Sequence, residues 1–382
     1  MKKICYVTTI SATLKTFVQP IATQLVAHTD WDITFLCNED SAFAAGLPEG
    51  IHYHPIAMKR GISLGGIGAM FKMVKFFRKE KFDLVQYSTP NASLYASLAA
   101  WLAGVPVRLY CQWGIAYVGM HGIKRRIFKA VEKLVCRLST RIEPDSFGNL
   151  HFSHAEKLYT PEKSGVVWNG SASGVDTERF NIANKDTWRK EIREKYNIPA
   201  DAFVFGFMGR ITRDKGINEL LTAFRAMSPS LDNTYLMLAG GRDNAETLSP
   251  ELMDWAQNAE NVIFCGLVSD PERHYAAMDV YILPSYREGF GSVVIEAEAM
   301  GVPVIVTDIP GPTDAMLPGK TGLIVKKADV ETLQSAMQTL FDDSTLRDRF
   351  AEAGLAFAKD NFEQKVLFTH ILEDRRNLIE KR

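Results

Sequence analysis

The feature that most restricts the fold of this chain is the alternation of short, β-branched apolar runs with longer helical patterns. Lys3–Thr8, Ile33–Cys37, Asp83–Tyr87 and Pro106–Tyr110 are the runs of the first half. Phe203–Met208, Tyr235–Ala239, Val262–Phe264, Val280–Leu283, Pro303–Thr307 and Gly322–Val325 are those of the second. The runs are continuously apolar, which predicts strands buried on both faces. Parallel sheets with helices on either side follow. At 382 residues the chain is long enough for two such domains. The Gly-, Ser- and Asn-rich stretch Gly165–Phe180 predicts the boundary. The expected division is residues 1–170 and 171–361. A long amphipathic helix at about residues 362–382 either caps the second domain or packs back on the first.

Hydrophobic residues make up 46% of the chain, the proportion of an ordinary soluble protein. No run of about eighteen apolar residues predicts a membrane-spanning helix. Met1-Lys2-Lys3 and the apolar residues after it read as a first strand, because the run is too short for a signal peptide. Cys5, Cys37, Cys111, Cys136 and Cys265 are scattered, which argues against a disulfide framework or zinc site and fits a reducing cytoplasm.

Charge is unevenly spread. Residues 1–180 carry 21 Lys+Arg against 14 Asp+Glu, a balance of +7, and the remainder carries 23 against 31, a balance of −8. The basic half points to an anionic surface or ligand. Within it, Gly122–Arg141 places Ile123, Ile127, Val131, Leu134 and Leu138 on one helical face. Lys124, Arg125, Arg126, Lys129, Lys133 and Arg137 lie largely elsewhere. This pattern reads two ways: a membrane-surface element, or a core-packed helix with a solvated basic face. Lys59–Lys81 is a second basic segment with apolar Ile67, Met70, Phe71, Val74 and Phe77, and the repetition favours the surface reading. Gly61–Gly68 lacks the G-x-G-x-x-G spacing and reads as a loop. Asp30-Trp31-Asp32 spells a D-x-D but falls between a helix and a strand start, and reads as a turn.

Two loops carry the candidate chemistry. Phe203–Met208 runs into Gly209-Arg210-Ile211-Thr212-Arg213-Asp214-Lys215-Gly216, then a helix from about Ile217 to Met227. Ligands of open α/β sheets bind where loops leave the carboxyl ends of strands. Arg210 and Lys215 between glycines suit a phosphate group, although a solvated basic turn has the same composition. The second loop, Pro284–Gly291, follows the strand Val280–Leu283 and leads into the helix Ser292–Met300. Gly289 and Gly291 allow close backbone approach, and a helix start directs unpaired N–H groups at an anion. Glu288 precedes that helix and Glu296 lies in its second turn, where a carboxylate accepts hydroxyl hydrogen bonds. Glu298 lies roughly 200° further round the helix, on another face. Complementing the helix dipole is the plainer role for these acids, but Glu296 is deep in the helix for it.

Together, PSYREGFGSVVIEAEAMGVPVIVTD (Pro284–Asp308) and GRITRDKG (Gly209–Gly216) resemble the donor site of glycosyltransferase family 4, especially its bacterial capsule, O-antigen and exopolysaccharide members. FCGLVSD (Phe264–Asp270), GPTDAMLPGKTGLIV (Gly311–Val325) and FDLVQYSTPNASLYASLAAWLAGVP (Phe82–Pro106) extend the resemblance over nearly the whole chain. It implies an α/β GT-B fold: two Rossmann-like, doubly wound parallel-sheet domains facing a central cleft, the N-terminal one on the acceptor side and the C-terminal one binding the nucleotide sugar. It also implies that Arg210 and Lys215 bind the donor pyrophosphate, that Glu296 holds the ribose hydroxyls and that Glu288 approaches the transferred sugar. Backbone groups of Gly289, Phe290, Gly291, Ser292 and Val293 serve sugar and phosphates, and Cys265–Val268 lies near the base. Retention of anomeric configuration and independence of metal ions and other cofactors are implied as well.

The sequence departs from the family pattern in two places. Cys111-Gln112-Trp113-Gly114 stands where many members have a His–Gly pair that contacts the donor sugar, so Gln112 or Trp113 takes that place. Ser173-Gly174-Val175-Asp176 stands where Asn-Gly-Val-Asp is frequent. The function implied is a retaining transfer of a hexosyl or N-acetylhexosaminyl group from a nucleotide sugar, UDP-linked by resemblance, to a lipid-linked glycan. The work is expected in the cytoplasm at the inner membrane face, without nucleic acid. The alternative is a non-catalytic nucleotide-sugar-binding subunit that assists a partner glycosyltransferase, which the missing histidine motivates.

Overall fold

The computed structural model describes residues 1–58, 64–242 and 247–380. The chain divides into two compact units, Met1–Ser173 with Lys365–Arg382, and Gly174–Gln364.

The first unit holds β1 (Lys3–Val7), β2 (Asp32–Cys37), β3 (Ile51–Pro55), β4 (Leu84–Tyr87), β5 (Val107–Gln112) and β6 (Arg141–Pro144). All pair in parallel, in the order β3-β2-β1-β4-β5-β6. Successive side chains of a strand point to opposite faces. Cys5 and Val7 therefore join the core under the helices Leu64–Glu80, Pro90–Leu102 and Gly122–Leu138. Ile4 and Tyr6 join the opposite core, covered by Gln19–His28 and by the C-terminal helix Gln364–Glu380 through Leu367, Phe368 and Ile371. Chain order runs outward from β1 in both directions, so the topological switch point lies between β1 and β4.

The second unit repeats the plan with β7 (Phe203–Met208), β8 (Thr234–Ala239), β9 (Val262–Gly266), β10 (Val280–Leu283), β11 (Val304–Thr307) and β12 (Gly322–Val325). Their order is β12-β11-β10-β7-β8-β9, again parallel, with the switch point between β7 and β10. Ligands of doubly wound sheets bind outside the strand ends at such points. The Arg/Lys loop follows β7 and the glutamate loop follows β10, so both leave the sheet there.

The structure corrects the sequence reading in three places. β3 and β6 form the edges of the sheet and are more polar than the sequence reading allows for a strand: IHYHP is only partly buried, whereas RIEP is largely buried and its Glu143 is kept there by Arg375. Of the stretch read as a loop, Leu64–Gly68 opens the helix Leu64–Glu80. A Cβ on Gly66 would lie 2.0 Å from the Tyr95 ring, so glycine lets this helix approach Pro90–Leu102. Residues 59–63 of the basic segment and of that loop lie outside the described residues. β5 runs two residues past Tyr110, through Gln112. Asp32 opens β2 at its N-terminal end, 3.6 Å from Lys3, so the D-x-D lies at the N-terminal edge of the first sheet, away from the carboxyl ends of its strands.

Candidate functional site

The first loop turns tightly after β7. Arg213–Lys215 form a single 3₁₀ turn, and Gly216 begins the helix Ile217–Met227 at φ +72°. A Cβ there would lie 2.0 Å from the carbonyl oxygen of Pro284, so a glycine is required for the two loops to touch. The Tyr286 N–H donates to the Asp214 carbonyl at 2.9 Å and ties them together.

Arg210 and Lys215 of the first loop have carboxylate partners. Lys215 Nζ donates to Glu288 Oε1 at 2.5 Å, with both side chains largely buried. Arg210 is half exposed, 3.7 Å from Asp214, which also accepts from Arg287 at 3.0 Å and from the Thr212 hydroxyl at 2.6 Å. Partial burial opposes ionisation of Asp214, but the Thr212 hydroxyl and the three surrounding cations hold its pKa below the ordinary value. The carboxylates thus occupy positions beside the cations that an incoming anion would contest.

The second loop ends at Gly291, φ +86°, ahead of the helix Ser292–Ala299. Phe290 is buried, packed on Phe362 at a ring separation of 5.0 Å, so it offers the site its backbone. Gly289, Ser292 and Val293 are partly accessible around the helix start, where the first N–H groups have no intrahelical acceptor. Val268 is half-buried against the core of the second unit, after the exposed turn Gly266–Leu267.

Glu296 accepts a hydrogen bond from Tyr275 Oη at 3.0 Å. Burial pushes its pKa up to about 7, against the opposing effects of Tyr275 and nearby Arg179. Burial first, then the charges of Glu288 and Glu296, push the Tyr281 phenol well above its ordinary range. Both glutamates therefore lie within electrostatic reach of this one ring, on β10, the strand that precedes them in sequence. Asp214, Arg179, Tyr275 and Tyr281 were missed as members of the site. Asp214 was legible within GRITRDKG; the tyrosines lie in apolar runs that look like core.

In the first unit, the Gln112 side chain is fully buried. The apolar run Pro106–Tyr110 predicts a strand that ends before Gln112, but β5 runs on through it. Strand alternation then sends its side chain to the same face as Tyr110, where it is fully buried. Its amide donates to Glu132 at 2.6 Å and accepts from Ser153 at 3.1 Å and Tyr159 at 2.9 Å. Trp113 lies just beyond the strand, partly exposed, its ring 5.6 Å from that of Phe17.

The helix Gly122–Leu138 turns Val135, Cys136 and Glu132 inward. Ile123 is 75% exposed and Ile127 50%, with Leu134 also exposed, among exposed Lys124, Arg126, Lys133 and Arg137. Ile67 and Phe71 of Leu64–Glu80 are exposed too. The core-packed reading of the apolar stripe fails for these positions.

Residues 189–357 match the family model described as Glycosyl transferases group 1, and residues 3–146 that described as Glycosyl transferase 4-like. The capsular polysaccharide biosynthesis glycosyltransferase CapM of Staphylococcus aureus is 32% identical over 320 residues, 83% of each chain. The UDP-Gal:alpha-D-GlcNAc-diphosphoundecaprenol alpha-1,3-galactosyltransferase of Escherichia coli is 24% identical, over 85% of this chain and 83% of its own. Anabaena Alr3699/HepE, solved in complex with UDP and glucose, superposes with a TM-score of 0.81 at 19% identity, covering 98% of this chain and 99% of that one. WaaG, a glycosyltransferase involved in lipopolysaccharide biosynthesis, gives 0.75 at 17% identity over 100% of both chains. At those identities the structural likeness speaks for the fold alone. The chain belongs to the family-4 glycosyltransferases, and is a glycosyltransferase of polysaccharide biosynthesis built on the GT-B fold.

Proposed function

We propose that this glycosyltransferase moves one sugar, with retention of anomeric configuration, from a UDP-sugar to a lipid-linked glycan acceptor in bacterial cell-surface polysaccharide synthesis. The observation that carries the reading is the pairing of Lys215 with Glu288 at 2.5 Å, beside Arg210, where the loops after β7 and β10 meet. A diphosphate entering there takes over Lys215 and Arg210 from their carboxylates. It leaves Glu288 facing the sugar on which positive charge develops. The donor and acceptor classes are supported by the names of the relatives: a UDP-galactose donor and a diphosphoundecaprenol acceptor for the Escherichia coli enzyme, and UDP bound in HepE.

As the anomeric C–O bond breaks, its electron pair goes to the β-phosphate oxygen. Lys215, Arg210 and the start of Ser292–Ala299 stabilise that charge, a role that in this proposal needs no metal ion. The acceptor hydroxyl attacks from the face the phosphate leaves, and the phosphate oxygen takes its proton. Glu296 accepts the ribose hydroxyls. Backbone groups of Gly289, Gly291, Ser292 and Val293 line the sugar and phosphates, and Val268 flanks the base. The exposed apolar and basic face of Gly122–Leu138 supports peripheral attachment to an anionic membrane on the cytoplasmic side.

The test is slow hydrolysis of a panel of UDP-sugars without acceptor. Wild-type protein should release UDP. Glu288→Gln should still bind UDP by calorimetry while hydrolysis falls about 100-fold or more. Unchanged turnover in that variant sinks the assignment. Binding without hydrolysis in the wild type favours the non-catalytic subunit, a reading that the burial of Gln112 keeps in view.

A further inference from the structure

The first unit contains a small polar cavity that the donor chemistry does not use. It lies at the switch point of the first sheet, where Tyr6 of β1 and Gln86 of β4 are register partners and point to the same face. Cys111 and Glu143, partners on β5 and β6, continue the floor. Arg375 of the C-terminal helix reaches in from above and is 3% exposed. It donates to Glu143 at 2.8 and 3.0 Å and to Gln86 at 3.3 Å, and it also pairs with Asp374. Phe17 and Trp113 form an aromatic side wall.

Two buried polar atoms on this lining, the Tyr6 hydroxyl on a side chain 1% exposed and Arg375 Nε, are not met at good hydrogen-bond geometry among the described residues, although the Arg375 guanidinium lies near enough to act on the Tyr6 hydroxyl. Buried polar groups are rarely left so, and an unmet pair facing one cavity points to an occupant. The cavity volume is about 40 Å³. That exceeds the space one water needs and falls far below the roughly 150 Å³ that a six-membered ring fills. Charge narrows the occupant further. Glu143 and Arg375 neutralise one another, an added anion would face Glu143 and Asp145, and an added cation would face Arg375. A neutral hydroxyl suits the lining, because it donates to Gln86 or Glu143 while accepting from Tyr6 and Arg375.

We propose that this cavity is a hydroxyl-reading subsite for the acceptor glycan. It seats one hydroxyl or hydroxymethyl arm of an acceptor sugar, whose ring lies against Trp113 outside the opening. The inference rests on the transferase reading above and adds to it the element that selects the acceptor. It also gives the C-terminal helix a role, since Arg375 supplies the roof.

Saturation-transfer NMR on the full-length protein tests it, with methyl glycosides of glucose, galactose and N-acetylglucosamine as probes. At least one should receive saturation, most strongly at the protons of the inserted arm. Tyr6→Phe removes only a hydroxyl that no partner meets at good hydrogen-bond geometry, so its melting temperature should fall little, yet affinity for that glycoside should drop about 5- to 10-fold. Trp113→Ala, at a partly exposed position, should abolish the signal and serves if Tyr6→Phe folds poorly. No saturation of any glycoside, or equal affinity in wild type and Tyr6→Phe, means that the cavity holds water only and overturns the proposal. Hydrolysis of UDP-sugar by the wild-type protein, measured in parallel, separates this failure from failure of the transferase reading.

Discussion

Glu298 offers the most exacting test of the physical account of the second unit. It lies in the helix Ser292–Ala299, fully buried, packed against Ser344–Phe362 so closely that a Cβ on Gly354 would come within 3.2 Å of its Cγ. Neither carboxyl oxygen is met at good hydrogen-bond geometry among the described residues, the nearby Thr321 hydroxyl included. Burial drives its pKa well above the ordinary carboxylate range, and the Thr321 hydroxyl opposes this only in part. Unfolded, the group titrates near about 4.3. The folded state therefore keeps a proton that the unfolded state gives up. Stability is unaffected below the unfolded value and falls as pH rises above it, by up to about 1.4 kcal/mol per pH unit until the folded pKa is passed.

Glu298→Met, of similar length and without polar atoms, removes that burden. Unpaired buried polar groups cost about 1–3 kcal/mol in protein mutational data, which sets the expected gain at neutral pH. For a unit of this size each kcal/mol is worth about 2–4 °C, so the melting transition should rise by several degrees. Urea denaturation of the full-length protein at pH 5 and pH 8 is the assay. The gain should be larger at pH 8, and Glu298→Gln should flatten the pH dependence while recovering less stability, because its amide also lacks partners. A gain equal at both pH values, or a loss at pH 8, would refute the reasoning, since it would mean that Glu298 is satisfied where it stands.

Three further predictions concern the site and the surface. If Glu296 accepts the ribose hydroxyls as a carboxylate, its pKa of about 7 makes the donor KM rise as pH falls below 7, up to about tenfold per unit, and Glu296→Gln removes the slope; a flat wild-type profile from pH 5.5 to 8.5 refutes it. Gly216→Ala forces a Cβ to within 2.0 Å of the Pro284 carbonyl at positive φ, so it should cost more than about 2 kcal/mol in urea melts and raise the donor KM; stability within about 0.5 kcal/mol of wild type contradicts it. Sedimentation with vesicles should show binding to anionic but not neutral lipid, weakened by salt and lost in Ile123→Asp/Ile127→Asp; equal recovery in the supernatant for both lipids rules it out.

What could be read from the sequence follows from burial. Every strand of the second sheet was visible because short continuous apolar runs such as Val280–Leu283 belong in a sheet covered on both faces. In the first sheet the edge strands β3 and β6 were invisible because their polar residues break the apolar run: His52 and His54 sit on a partly exposed edge, and Glu143 is buried only by virtue of Arg375, which lies 232 residues away. The loop cations and both glutamates were legible as chemistry, since charge in a glycine-rich turn after a strand has few structural uses. Their pairing was not, because Lys215 and Glu288 are 73 residues apart and meet only through the switch-point topology. Gln112 shows the limit most sharply. Its role turned on whether β5 ended at Tyr110 or two residues later, and a polar residue at the end of an apolar run looks like the start of a loop. What extends the strand is Glu132, a buried acid on an otherwise basic helix, whose carboxylate receives both Tyr110 and Gln112. Burial raises the pKa of that carboxyl, so its hydrogen bonds replace water rather than add to it. The helix that presents Ile123 and Ile127 to solvent is thereby fastened to the strand that carries Trp113. The surface proposed to meet the membrane and the wall proposed to meet the acceptor are joined through one buried amide–carboxyl contact.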